Sequence, residues 1–197
     1  MQKRKIIWII EHCEIKGTYP FERAVTLANL LQDEEVILFV KTANEQLLDK
    51  LAQTGLNIVK FDRFIELKKK MRELEPHLII HEGKDTQVEQ IEMIKPFCST
   101  IVHFDDFGMG AQLSDCHIVS LFGESHEEPH THELAGSYAF AVPPNLEKVA
   151  HQILEKPDSS IKDSLPHIVV AFEDGDSNNL TYRTLRHLTQ LQIPLKI

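Results

Sequence analysis

The sequence predicts an α/β fold, a Rossmann-like parallel sheet with helices on both faces. Three observations predict it. Short apolar, β-branched runs alternate with helical patterns along most of the 197 residues, as strands joined by crossover helices do. Runs such as Ile6-Ile7-Trp8-Ile9-Ile10 and Val36-Ile37-Leu38-Phe39-Val40 are continuously apolar, which suits strands buried on both faces. Between the first run and the first helix lies Lys16-Gly17-Thr18-Tyr19-Pro20, a glycine turn where α/β proteins hold anionic or sugar-nucleotide ligands.

The elements follow in order. A first strand is expected at Lys5 to Glu11. The helix after it runs from Pro20 to Gln32, with Phe21, Ala24, Leu27, Ala28 and Leu31 on one face and proline in its first turn. Val36 to Val40 is a buried strand. Thr42-Ala43-Asn44-Glu45 reads as a capping box opening a helix that ends near Gly55. Leu56 to Phe61 is a strand, and Asp62 caps a helix that Pro76 terminates after Glu75. His77 to His81 is a strand, Asp85 to Ile94 a helix, and Thr100 to Phe104 a strand ending at Asp105-Asp106. Residues 107–114 read as loop, Cys116 to Leu121 as a short strand, 123–137 as an exposed polar stretch, and Asn145 to Leu154 as a helix.

Lys156-Pro157-Asp158-Ser159-Ser160 has linker composition. It divides an N-terminal domain, 1–156, from 157–197. There a strand at His167 to Phe172, a helix at Asn179 to Leu191 and a strand at Pro194 to Ile197 form the first β-α-β unit of a truncated second domain. One such unit cannot bury both sheet faces: either the second domain is cut short, or the unit packs on the first domain or on another copy, a homodimer through this unit.

Composition narrows function. Apolar residues make up 42%, enough for a packed core, and the net charge is −9. That balance argues against nucleic acid or an anionic membrane surface as partner, since both need clustered Lys and Arg. Lys68-Lys69-Lys70 lies among Glu66, Glu73 and Glu75 and reads as a solvated helix face. Three cysteines, Cys13, Cys98 and Cys116, lack CxxC spacing and fit a reducing cytoplasm. No run is long enough to span a membrane.

Four stretches carry a family resemblance. They are Gly17-Thr18-Tyr19-Pro20-Phe21-Glu22-Arg23, His103-Phe104-Asp105-Asp106, Leu134-Ala135-Gly136-Ser137-Tyr138-Ala139-Phe140, and Phe172-Glu173-Asp174-Gly175-Asp176 leading to Asn179-Leu180-Thr181. In these the chain resembles the spore coat polysaccharide biosynthesis protein G family of bacilli. It is also similar to the sugar-nucleotide hydrolase of pseudaminic acid synthesis, and both look like relatives of the two-domain GT-B glycosyltransferases. The resemblance implies a nucleotide-sugar or glycan ligand, a role in surface or spore coat polysaccharide synthesis as hydrolase or glycosyltransferase, and partners among other proteins of that pathway. It implies no cofactor and no metal.

The family motif Gly-x-Gly-His-x-x-Arg departs here at two positions, with Tyr19 for the second glycine and Pro20 for the histidine. Proline has no titratable group and cannot act as a base. Glu173 and Asp174 stand where the family's second-domain loop has glycines, and two carboxylates there would repel a diphosphate. These departures leave a second reading, a non-catalytic scaffold that binds glycan or partner in the same pathway.

The candidate catalytic residues are Glu11, at a strand end, and Asp105. The candidate substrate-binding residues are Gly17, Arg23, Asp106, Tyr138, Asp176 and Asn179. Arg23 could clamp a pyrophosphate with its planar fork or pair with a nearby acid such as Glu22 or Glu11. Glu11 could equally hydrogen-bond structurally. Asp105 and Asp106 lie at a strand's C-terminal edge, where paired acids bind a sugar hydroxyl or a divalent ion or cap a loop. Tyr138 could pack at a domain edge, while Asp176, Asn179 and Thr181 suit a turn and a helix cap. His126 to Glu133 carries good zinc ligands but has the composition of a surface loop. His12 beside Cys13 offers a nucleophile pair, although neighbours at a strand end point apart.

Overall fold

The computed structural model describes residues 3–11, 17–42, 44–83, 85–120, 132–136, 139, 141–154, 168–170, 172, 176 and 178–191. The chain forms two compact units, Met1–Cys13 with Thr18–Ala141, and Glu14–Gly17 with Val142–Ile197. The first is Rossmann-like. Its strands are β1 (Lys5–Glu11), β2 (Glu35–Lys41), β3 (Asn57–Lys60), β4 (Leu78–Glu82), β5 (Thr100–Phe104), β6 (Cys116–Val119) and β7 (Glu133–Ala135). They form one sheet in the order β3-β2-β1-β4-β5-β6-β7, parallel throughout.

The helices α1 (Tyr19–Leu30), α2 (Glu45–Ala52), α3 (Ile65–Leu74) and α4 (Val88–Ile94) are shared between the sheet's two faces. One face joins Trp8, Ile10, Leu38 and Val40 to Phe21 and Ala24 of α1 and Leu47 and Leu51 of α2. The other joins Ile7, Ile9, Ile79 and Ile101 to Leu67 and Met71 of α3 and Ile91 and Ile94 of α4. The strand order explains this split. From β1 the sheet grows outward to β3, then the chain returns to β4 and grows the other way. With crossovers of one hand, a reversal of direction moves the helices to the opposite face.

Local chemistry shifts several boundaries. Asn44, rather than Thr42, caps α2, its side chain accepting from Leu47 N at 3.0 Å; Thr42 Oγ1 accepts from Asn44 N instead. The expected Asp62 cap is absent: α3 starts at Ile65, and Asp62 donates its backbone N–H to Glu66. The helix expected from Asp85 starts at Val88, behind a Gln87–Gln90 capping box, because Asp85 sits at φ 54°, a left-handed conformation that helices do not continue through. Residues 107–114 hold a 3₁₀ turn, Met109–Leu113. Within the stretch expected to be an exposed loop, β7 extends the sheet.

The second unit contains α5 (Pro144–Leu154) and α6 (Leu180–Gln190). Residues 156–160 and the strand expected at 194–197 lie outside the described residues. So does most of the strand expected at 167–172; its described part, 168–170 and 172, is assigned to no strand. Among the described residues no helix is long and apolar enough to cross a membrane.

Cys98 and Cys116 are free thiols. Burial and the Asp115 carboxylate push the Cys98 thiol up to about 11. The thiolate is the nucleophile, so alkylation of Cys98 by iodoacetamide at pH 8 should run about a hundredfold slower than that of an unperturbed thiol, rising steeply toward pH 11. Peptide mass spectrometry of a timed reaction measures this.

Candidate functional site

The C-terminal ends of the strands carry two buried polar clusters, one on each face of the sheet. Arg23 organises the first. It lies on the buried face of α1 and is 1% exposed. Its Nη2 and Nε donate to the two oxygens of Glu82 at 2.6 and 3.1 Å, a bidentate fork. Its Nη1 donates to Asp105 Oδ2 at 2.8 Å and contacts Ser120 Oγ. The guanidinium also stacks over the rings of Phe104 and Tyr19, 4.4 and 4.8 Å from their centroids.

Glu82, at the end of β4, also accepts from Trp8 Nε1 at 3.0 Å. Asp105 accepts from the backbone N and the hydroxyl of Ser120, both at 2.6 Å. Burial opposes ionisation of both Arg23 and Asp105, yet their mutual attraction, with Glu82 and Ser120, holds Arg23 firmly protonated and Asp105 below the usual carboxylate range. Asp105 is held at φ 48°, a conformation that aspartate tolerates better than most residues.

Histidines make the second cluster. The register pairs His81 of β4 with His103 of β5, His103 with His117 of β6, and His117 with Glu133 of β7. Paired residues face the same way, so the three imidazoles form one row across the sheet, each 0% exposed. The His81 and His103 rings lie 4.8 Å apart. Asp106 reaches this row from the turn after β5. Its Oδ2 lies 3.2 Å from His103 Nδ1 and 3.7 Å from His81 Nδ1, and accepts from the Thr86 hydroxyl. Its Oδ1 accepts from the backbone N–H groups of Thr86 and Gly108 at 3.0 and 2.9 Å. Asp106 N donates to His117 Nε2 at 3.3 Å, which fixes the proton of a neutral His117 on Nδ1, 3.7 Å from Glu133 Oε2.

Glu11 closes the row beside His81. Its Oε1 lies 3.5 Å from His81 Nε2 and its Oε2 2.9 Å from Lys41 Nζ. Burial pushes its carboxyl up, but His81 and Lys41 more than offset that and hold it below its ordinary value. Burial likewise disfavours the His81 imidazolium, and Asp106 and Glu11 outweigh it, so the pKa of His81 is raised.

The residues singled out from sequence therefore divide. Arg23 and Asp105 meet in the first cluster, while Glu11 and Asp106 meet through His81 in the second. Gly17, at φ 55°, belongs to the second unit with Asp176 and Asn179. The Asp176 carboxylate takes the first N–H groups of α6, those of Leu180 and Thr181, and Asn179 stands at the N-cap at φ 51°. Tyr138 lies outside the described residues, as do Glu173, Asp174, His12, Cys13 and His126. Sequence reasoning missed Glu82, Ser120, His81, His103 and His117. A signal was present for the histidines: three successive strands carry one, and in β4 and β5 it stands two residues after a core isoleucine, Ile79 and Ile101.

Between β1 and β4 the sheet changes its direction of growth. Open α/β sheets bind ligands in the crevice beyond the carboxyl ends of such a pair. Glu11 ends β1, Gly83 follows β4, and α1 begins at Tyr19. The Tyr19 hydroxyl is buried and has no hydrogen-bond partner.

No protein-family model matches the chain, and no curated protein matches it. Solved structures do. A glycosyltransferase from Rickettsia africae is similar over 85% of this chain and 52% of its own, at 8% identity and a TM-score of 0.52. The chain thus spans about half the length of that protein. A short-chain dehydrogenase from Streptomyces avermitilis aligns with the whole chain and 88% of its own length, at 10% identity and a TM-score of 0.40. The first likeness shows the fold alone, a Rossmann-like α/β architecture.

Proposed function

We propose that the protein binds a nucleotide-activated sugar at the β1–β4 crevice and carries out no hydrolysis there, serving bacterial surface or spore coat polysaccharide synthesis as a binding component. The observation that carries the binding is the buried, unpartnered Tyr19 hydroxyl beside the switch point of a glycosyltransferase-like sheet. A buried polar group without a partner costs about 1–3 kcal/mol, and a ligand hydroxyl or phosphate oxygen would recover it. The family resemblance supplies the ligand class and the pathway.

The residues present weigh against the hydrolase chemistry, and binding there would not use Arg23 as a clamp. Arg23, the natural diphosphate clamp, is engaged by Glu82, Asp105 and Ser120 and covered by two rings. Pro20 supplies no base. Glu11 is held ionised by His81 and Lys41, which makes it a weak proton acceptor. A role for Tyr138 in that ligand site follows from the resemblance and is part of the proposal.

Calorimetric titration of UDP-, CMP- and dTDP-sugars into the protein tests it. At least one should bind, and Tyr19→Phe should weaken it about tenfold, the loss of one hydrogen bond, without lowering stability. Absence of binding by every donor overturns the reading, and measurable turnover of any of them overturns its non-catalytic half.

A further inference from the structure

We propose that His81, His103 and Asp106 form a binding site for one divalent transition-metal ion of the zinc class. The three offer ligand atoms that all lie within 4.8 Å of one another, and each side chain is fully buried. With metal–ligand bonds of about 2.1 Å, adjacent ligands in a tetrahedral shell stand roughly 3.4 Å apart. Asp106 Oδ2 lies 3.2 Å from His103 Nδ1 and 3.7 Å from His81 Nδ1, on either side of that spacing. The Thr86 hydroxyl, 3.4 Å from His81 Nδ1, is a further oxygen at the same point.

The surroundings are those of a prepared ligand set. Metal-bound imidazoles usually direct their other nitrogen at a carboxylate, and bound carboxylates are themselves held by hydrogen bonds. His81 turns Nδ1 to the cluster and Nε2 toward Glu11 Oε1, 3.5 Å away, without completing a hydrogen bond. Asp106 fixes Oδ1 on two backbone N–H groups and presents Oδ2 to both rings. A dication with two neutral imidazoles would supply the positive charge that the buried Asp106 carboxylate otherwise takes from a protonated histidine. Two nitrogens and one oxygen favour zinc, cobalt or nickel over calcium or magnesium. All ligands are inaccessible to solvent, so the ion would tie β4, β5 and the turn after β5 together rather than meet a substrate.

The test uses full-length protein made without a histidine tag and refolded with one equivalent of Co²⁺ or Zn²⁺, then dialysed. Metal analysis should find one ion per chain, with visible cobalt bands of a low-symmetry nitrogen–oxygen site. His103→Gln and Asp106→Asn should each reduce the retained ion at least tenfold. Replacing His126, His130 and His132 together by serine should leave it unchanged, since those lie elsewhere in sequence and could bind metal adventitiously. X-ray absorption of the loaded wild-type protein should resolve two imidazoles in the shell, which decides the matter if the cluster variants do not fold. No retained ion, loss of the ion with the three serine substitutions, or a shell without two imidazoles overturns the proposal.

Discussion

Replacing Arg23 by methionine should destabilise the protein by about 3–5 kcal/mol, the usual cost of removing one partner from a buried ion pair. The guanidinium is the positive centre between Glu82 and Asp105, and all three side chains are at most 1% exposed. Without it two carboxylates face each other out of water. Trp8 Nε1 and Ser120 still donate to them, but neutral donors do not balance two charges. The variant Arg23→Met, Glu82→Gln should recover much of the loss, because only the Asp105 charge then remains unpaired. Urea unfolding followed by fluorescence is a direct readout: Trp8 is the sole tryptophan, is fully buried in the first unit and touches this cluster. A loss below about 1 kcal/mol is what an exposed pair would give. It would mean that solvent, and so a diphosphate, reaches Arg23, and the clamp role would return.

The same cluster shows what sequence can and cannot convey. The α/β alternation was legible because β1 and β2 each hold five apolar residues in a row, Ile6 to Ile10 and Val36 to Val40, as strands covered on both faces do. β7 was not. Glu133-Leu134-Ala135 has no apolar pattern of its own, and its ladder is supplied by the free edge of β6. Arg23 stands out in the sequence as a residue suited to ligands, and Asp105 and Asp106 as a pair of acids suited to them. That Arg23 faces Glu82 and Asp105, rather than Glu22 or Glu11, depends on the register of β1 with β4 and on the left-handed turn at Asp105. Neither leaves a local mark. The histidine row has the same origin. His81, His103 and His117 are separated along the chain by whole helices and turns, and only the parallel register sets them side by side. The clustered histidines near 126–132 are conspicuous in the sequence, whereas this row shows there only through Asp106, one of two adjacent acids suited to a divalent ion.

Gly108→Ala should be the most damaging conservative change, at least about 3 kcal/mol, the upper end of what overpacking costs. The reason is packing rather than backbone conformation. Gly108 sits at φ −73° and ψ 159°, which alanine adopts freely. An added Cβ, however, would lie 2.2 Å from Thr86 N and 2.3 Å from both Asp85 C and Thr86 O. Those are backbone atoms and cannot swing aside. They are also pinned: Thr86 N donates to Asp106 Oδ1 at 3.0 Å, Gly108 N to the same oxygen at 2.9 Å, and Gly110 N to Thr86 O at 2.8 Å. The methyl must therefore separate two turns whose contact holds the Asp106 carboxylate against His81 and His103. Gly55→Ala supplies the contrast. Gly55 has φ +76° and nothing within 4 Å of an added Cβ, so its substitution should cost only the left-handed strain, about 1–2 kcal/mol. Trp8 fluorescence in urea ranks the two variants. If Gly108→Ala proved no worse than Gly55→Ala, the turns would be able to part without loss, and the Asp106 carboxylate could not be the fixed centre from which the histidine row is organised.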